Sequence, residues 1–264
     1  MQPISVVKGE YVRELLNKGI REEGRGMLEY RSIGIKHSVL QNAEGSAQVD
    51  MGSTKVLVGI KLDMGEPMSD KPNEGNLMTM AELLPLASPE YETGPPSPDS
   101  IELARVVDRG IRAANVIDLP ALFIEEGKVW NVFVDIYVLN YDGNLFDACA
   151  LAAMTALSNT RMPKYDKEKD EVIREGSLGK LKINNVVTSC TYAKMGNKIV
   201  LDADGAEESI MEGRVTIAND EKVVRAMQKG KRGAFSQQDI EHLMEKSFEK
   251  SKELRRLIEN AKGE

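Results

Sequence analysis

The 264-residue sequence is 41% hydrophobic and 29% charged, with a formal net charge of −7. That length supports one large domain or two small ones. No apolar run nears the roughly 20 residues that span a bilayer, the start Met1-Gln2-Pro3-Ile4-Ser5 has no signal-peptide pattern, and the expected compartment is the cytoplasm. The acidic balance argues against a free-standing nucleic-acid binder, so any such contact must be local or shared with a more basic partner.

Val12, Leu15, Leu16 and Ile20 recur at helical spacing and predict a first helix over 10–20. Three short alternating runs follow, over 33–41, 46–51 and 55–62. Gly45 and Gly52-Ser53 punctuate them as hairpin turns would. Another strand is expected over 79–86. Asp99, with Glu102 three residues on, reads as the cap of a helix over 100–116, with Leu103, Val107, Ile111 and Ala114 buried. The segments 121–124 and 129–139 form a hairpin about Gly127, and the second is apolar on both faces, as in a central strand.

Asp142-Gly143-Asn144 turns the chain into a small, apolar, buried helix over 148–158. The charged stretch 161–176 reads as a linker. Strand-like runs resume at 186–193, 198–201 and 214–218. Ser236, with Asp239, caps a final amphipathic helix. Strands followed by helix in both halves imply an α+β chain of two similar layers.

The residues offer little for nucleophilic catalysis. Only His37 and His242 are present, each read as a surface residue, and the nucleophile-elbow, Walker A and dinucleotide fingerprints are absent. Cys149 and Cys190 read as buried hydrophobes without metal-ligand spacing. Asp202, Asp204, Glu207 and Glu208 are acidic enough for a divalent cation, yet lack the further ligands of an EF-hand loop. Asp204-Gly205 reads better as a turn. Arg105, Arg109 and Arg112 lie four and three residues apart, which puts three guanidinium groups on one helix face. That row suits successive phosphates of a single strand. It equally suits a solvated face neutralised by Glu102 and Asp108.

Arg25-Gly26 before Glu29-Tyr30-Arg31, then Ala43-Glu44-Gly45-Ser46-Ala47 and Gly52-Ser53-Thr54-Lys55-Val56, form an ordered series. It continues through Ile101-Glu102-Leu103-Ala104 and Val138-Leu139-Asn140-Tyr141-Asp142-Gly143 to Leu201-Asp202 and Glu207-Glu208. The series resembles the RNase PH family, which shortens RNA from the 3′ end with inorganic phosphate as nucleophile. The resemblance implies an RNase PH-like α+β fold of two subdomains, with antiparallel and mixed sheets and packed helices. Residues 24–163 would form the first, with an N-terminal helix over 1–23, and residues 177–264 the second, with the C-terminal helix.

Three departures from the family pattern stand out. Active members resemble Gly-Gly-Thr-Arg at Gly143 to Phe146, where the arginine holds the attacking phosphate; Phe146 takes that place here. Asp147, next in the helix, would fill the anion site at the helix start and repel phosphate. Two unit charges 4 Å apart interact by about 4 kcal/mol at an effective dielectric of 20. Paired arginines before the second helix are replaced by Pro98-Asp99-Ser100, and Arg214 stands where active members carry an acid.

The combination resembles the inactive subunit of the archaeal exosome. By that resemblance the chain has no catalytic residue, metal or cofactor. Its partners are a catalytic RNase PH-like subunit, three copies of each in a hexameric ring, RNA-binding cap subunits and single-stranded RNA, with no membrane. Arg105, Arg109 and Arg112 would contact the RNA. The alternative is an active phosphate-dependent 3′–5′ exoribonuclease of the same family.

Overall fold

A computed structural model describes residues 3–22 and 24–261; the expected unit ends at residues 1, 23 and 264 lie outside the described residues. Helix α1 (Pro3–Asn17) opens the chain. Val12 and Leu16 bury against Ala193, Met195, Val200 and Ala203 in a small separate apolar cluster. Ile20, expected on the same stripe, lies beyond the helix end and is exposed.

The first sheet comprises β1 (Ile33–His37), β2 (Gly45–Met51), β3 (Thr54–Gly65), β4 (Asn76–Leu83), β5 (Phe123–Glu125) and β6 (Lys128–Asn140). Its order is β1-β2-β3-β6-β4, with β5 paired to β6. Gly52 turns β2 into β3 with φ of +56°, a conformation glycine adopts without a Cβ penalty. Strand β4 runs parallel to β6, so the helix between them, α2 (Pro98–Ala113), is a crossover that packs back on the sheet. The second sheet has the order β12-β11-β13-β14, built from β11 (Thr188–Met195), β12 (Lys198–Leu201), β13 (Gly213–Asn219) and β14 (Val224–Lys231). Helix α4 (Gly205–Ser209) links β12 to β13, and α5 (Gln237–Ala261) covers the sheet.

Helix α3 (Leu145–Asn159) lies between the two sheets. Its alanine-rich sequence has no polar face, and twelve of its residues are buried. Small side chains let its end approach β2 closely: a Cβ on Gly45 would meet Thr160 Oγ1 at 2.2 Å. One apolar cluster therefore runs from Val56, Ile60 and Val134 of the first sheet through Leu151 and Met154 to Cys190 and Ile217 of the second. Both cysteines are buried and unbridged.

Four local readings change. The cap of α2 is Ser97, whose side chain accepts from Ser100 N, with Pro98 in the first turn; Asp99 is already helical. Helix α3 begins at Leu145, three residues before the apolar run suggests. The stretch 161–176 is not a bare linker. It carries β7 (Arg161–Met162) and the ribbon of β8 (Lys164–Asp166) with β9 (Glu171–Ile173), while β10 (Gly179–Lys180) pairs back with β7. Strand β14 gave no alternation to read. As an edge strand rich in Lys, Arg and Gln, it is only half-buried.

Candidate nucleic-acid interface and a closed anion site

Helix α2 buries Leu103, Val107 and Ile111 and turns Arg105, Arg109 and Arg112 outward. The three arginines line one shallow groove with Asp108 and Ala113. Their pairing departs from the sequence-based expectation. Asp108 accepts from Arg112 Nε at 2.7 Å and from Thr79 at 3.2 Å. Arg112 also donates to the Leu77 carbonyl. Arg109 donates to Gln228 Oε1 on β14 at 2.6 Å. Glu102 turns away to Arg214, at 2.6 Å. Arg105, which Glu102 and Asp108 both stand close enough in sequence to neutralise, is thereby left without a hydrogen bond or ion pair among the described residues.

The start of α3 is closed by the chain itself. Asn144 stands at the N-cap in a left-handed conformation, φ 47° and ψ 50°. Its backbone N–H donates to Glu208 Oε1 at 2.9 Å, while Tyr141 Oη donates to Glu208 Oε2 at 2.7 Å. A free N–H at a helix start attracts anions, and here it meets a carboxylate from α4. The residue in that role is Glu208, where Asp147 was expected. Asp147 instead points inward, accepting from Thr191 N at 2.8 Å, Thr191 Oγ1 at 2.7 Å, and Tyr30 Oη and Asn144 Nδ2 each at 3.0 Å. The helical turn explains the difference: at the third position of α3 its side chain faces β11 and not the chain entrance. Burial raises the Glu208 pKa, against donation from Tyr141 and Asn144 N.

Beside Glu208, the guanidinium of Arg214 lies over the Phe146 ring, 4.0 Å from its centroid, a cation–π contact. Glu102 anchors the other side of that guanidinium. The cleft they share is lined by four carboxylates, Glu90, Asp99, Glu102 and Glu208, against Arg214 and Lys231. The acids outnumber the bases, so the formal charge of the lining is unfavourable to a free phosphate.

Burial pushes the Asp147 pKa up to about 7, against donation from Asn144 and Thr191. A carboxyl raised above its unfolded value of roughly 3.9 contributes stability below that value and loses it as pH climbs through the folded pKa. Asp147 should therefore make stability fall from about pH 4 to about pH 7, contributing a slope no steeper than about 1.4 kcal/mol per pH unit. Asp147→Asn should flatten that slope in urea titrations; parallel curves for the two proteins would contradict it.

The acids Asp202, Asp204 and Glu207 all serve the fold. Asp202 is fully buried. It accepts from Arg31 N and Nη2, each at 2.8 Å, from Arg31 Nε at 3.0 Å, from Asn144 Nδ2 at 2.8 Å and from Arg25 Nη1 at 3.2 Å. Burial alone would raise its pKa, but the Arg31 contacts hold it below the usual carboxylate value. Glu207 accepts from Arg21 Nε at 2.8 Å. Asp204 caps α4 through Glu207 N at 2.9 Å. Among the described residues no group of three or more His, Cys, Asp or Glu is arranged to hold a metal ion. This network was missed in the sequence; its signal is three arginines, Arg21, Arg25 and Arg31, in one non-periodic loop.

Residues 29–163 match domain 1 of the 3′ exoribonuclease family, RNase PH, and residues 185–250 match its domain 2. The chain is 43% identical over 270 residues to the exosome complex component Rrp42 of Thermococcus gammatolerans, covering 100% of this chain and 99% of that protein. Among solved structures it is similar to a chain of the Archaeoglobus fulgidus exosome with RNA bound to the active site. The TM-score is 0.90 at 42% identity, over 97% of this chain and 99% of that one. A chain of an archaeal exosome core matches with TM-score 0.86 at 39% identity, over 97% and 98% of the two chains.

Proposed function

The chain belongs to the RNase PH family of 3′ exoribonucleases, and we propose that it serves there as a non-catalytic subunit of an exosome ring. In this reading it shapes the active site of a catalytic paralogue and supplies RNA contacts. The observation that carries the reading is the closed start of α3, where Glu208 takes the free N–H and the Phe146–Arg214 pair fills the place that the resemblance assigns to a phosphate-holding arginine. Phosphorolysis needs an anion site; here the corresponding cleft is acidic. The relatives named as exosome components support the assembly.

The proposed ring holds three copies of this chain and three of the catalytic subunit, with RNA-binding cap subunits on one face. Single-stranded RNA runs along Arg105, Arg109 and Arg112. The chain divides into units 24–163 and 177–264, each with its own sheet, and acts in the cytoplasm. Among the described residues no helix is long and apolar enough to cross a membrane.

The test is phosphorolysis by purified protein. The chain alone, given RNA and inorganic phosphate, should release no nucleoside diphosphate. Mixed with its catalytic paralogue it should form a complex whose mass fits three copies of each and which degrades RNA in a phosphate-dependent way. Release of nucleoside diphosphates by the chain alone would establish the active-enzyme alternative instead.

A further inference from the structure

We propose that Arg255 anchors a phosphate-binding cleft between α5, the β13–β14 turn and the segment before β11. Arg255 is 8% exposed. Its Nη1 is buried without a hydrogen-bond partner, and no ion pair or hydrogen bond reaches its guanidinium among the described residues. Buried charges are normally paired, because desolvation disfavours them. The buried acid in the same cleft is already engaged: Asp220 accepts from Lys222 N at 2.7 Å, Val223 N at 2.9 Å and Arg225 Nε at 2.6 Å.

Arg255 lines a cleft of about 330 Å³, with Lys222, Arg225 and Asn184 on its walls. Three acids also line it: Asp220, whose carboxylate is engaged by Arg225, and Glu221 and Glu259, both exposed to solvent, where water screens them. A guanidinium fork presents paired donors that match a phosphate oxyanion, and the volume admits one. The cleft lies at the opposite end of β13 from Arg214, about 20 Å away at 3.3 Å per residue. It is also continuous with the arginine row. Arg112 belongs both to that row and to a hollow beside it, and Asn184 belongs both to this hollow and to the Arg255 cleft. The phosphate is thus either inorganic or a phosphodiester of a strand continuing from the row. The second source rests on the proposed RNA contacts; the first does not.

The experiment uses the full chain in the Arg105→Ala, Arg109→Ala, Arg112→Ala background, so that the row cannot contribute. Inorganic phosphate, compared with chloride at equal ionic strength, should raise the melting temperature. Arg255→Met should abolish that rise and weaken phosphate binding in calorimetry at least about tenfold. In phosphate-free buffer Arg255→Met should be no less stable than its parent, since it removes an unpaired buried charge. Asn184→Asp, an exposed change that leaves the core intact, should also weaken phosphate binding about tenfold.

An undiminished phosphate response in either variant overturns the proposal. So does strong destabilisation of Arg255→Met without phosphate, which would mean that Glu259 or an internal water already satisfies the guanidinium. A short single-stranded oligoribonucleotide, tested with the row intact, separates the sources. Weaker RNA binding by Arg255→Met, with a log–log salt slope shallower by about 0.7, assigns the cleft to RNA. Unchanged RNA binding with the phosphate response lost assigns it to free phosphate.

Discussion

Asp202→Ala should lower the stability of the chain by about 3–5 kcal/mol, the cost of breaking a buried ion pair by removing one partner. Arg31, a buried residue, would then lose the carboxylate that its Nε and Nη2 donate to and keep, as an ion pair, only the longer contact to Asp142 at 3.5 Å, and Arg25 and Asn144 would each lose an acceptor. The loss is large against the 5–15 kcal/mol typical of a folded protein. It reaches beyond one contact, because Asp202 ties the loop carrying Arg25 and Arg31 to the turn that starts α3. Asp202→Asn should be almost as damaging, since its amide presents N–H donors to guanidinium N–H groups. Urea unfolding followed by circular dichroism measures both. A loss under about 1 kcal/mol for Asp202→Ala would show that the network is as weak as a surface pair.

The second large effect is expected in the arginine row, measured in the proposed ring. Replacing Arg105, Arg109 and Arg112 together by Ala should weaken RNA binding on the order of a hundredfold, taking roughly 1 kcal/mol for each exposed phosphate contact. The log–log salt slope should become shallower by about 2, at about 0.7 for each contact to a single strand. The loss should be similar across RNA sequences, because phosphates carry no base identity. Degradation by the proposed complex should slow as well, although in this reading the arginines touch no reacting atom.

The three arginines should not contribute equally. Arg105→Ala should cost the most, since its guanidinium is uncommitted, and Arg112→Ala the least, since Asp108 and the Leu77 carbonyl already hold it. Native mass measurement must accompany each variant to show that the ring is intact. An intact ring with unaltered affinity and salt slope would reduce the row to a solvated face.

The order of the effects could not be read from spacing. In sequence, Glu102 stands three residues from Arg105, a helix-neighbour distance. In the folded chain it bonds Arg214, 112 residues away. Arg214 is held against the Phe146 ring in a half-closed cleft, where a charge-assisted bond is worth more than an exposed pair on a helix.

What the sequence determined by itself follows from local rules. Helical and strand periods placed α2, α3, β3 and β6 to within a few residues. The order of short motifs from Arg25 to Glu208 indicated the family, and Phe146 and Arg214 stood out as departures from its pattern, because each changes charge at a single position. The tertiary structure alone decided which side chains meet. Glu208, 64 residues from Asn144, took the helix start from Asp147. Asp202, 171 residues from Arg31, became the centre of a buried network. Arg255 was left with its Nη1 unpaired among the described residues, while the turn and Arg225 engaged Asp220 in the same cleft. Periodicity encodes which face of an element is buried; the partner of a buried charge depends on how distant segments approach, and no local pattern carries that.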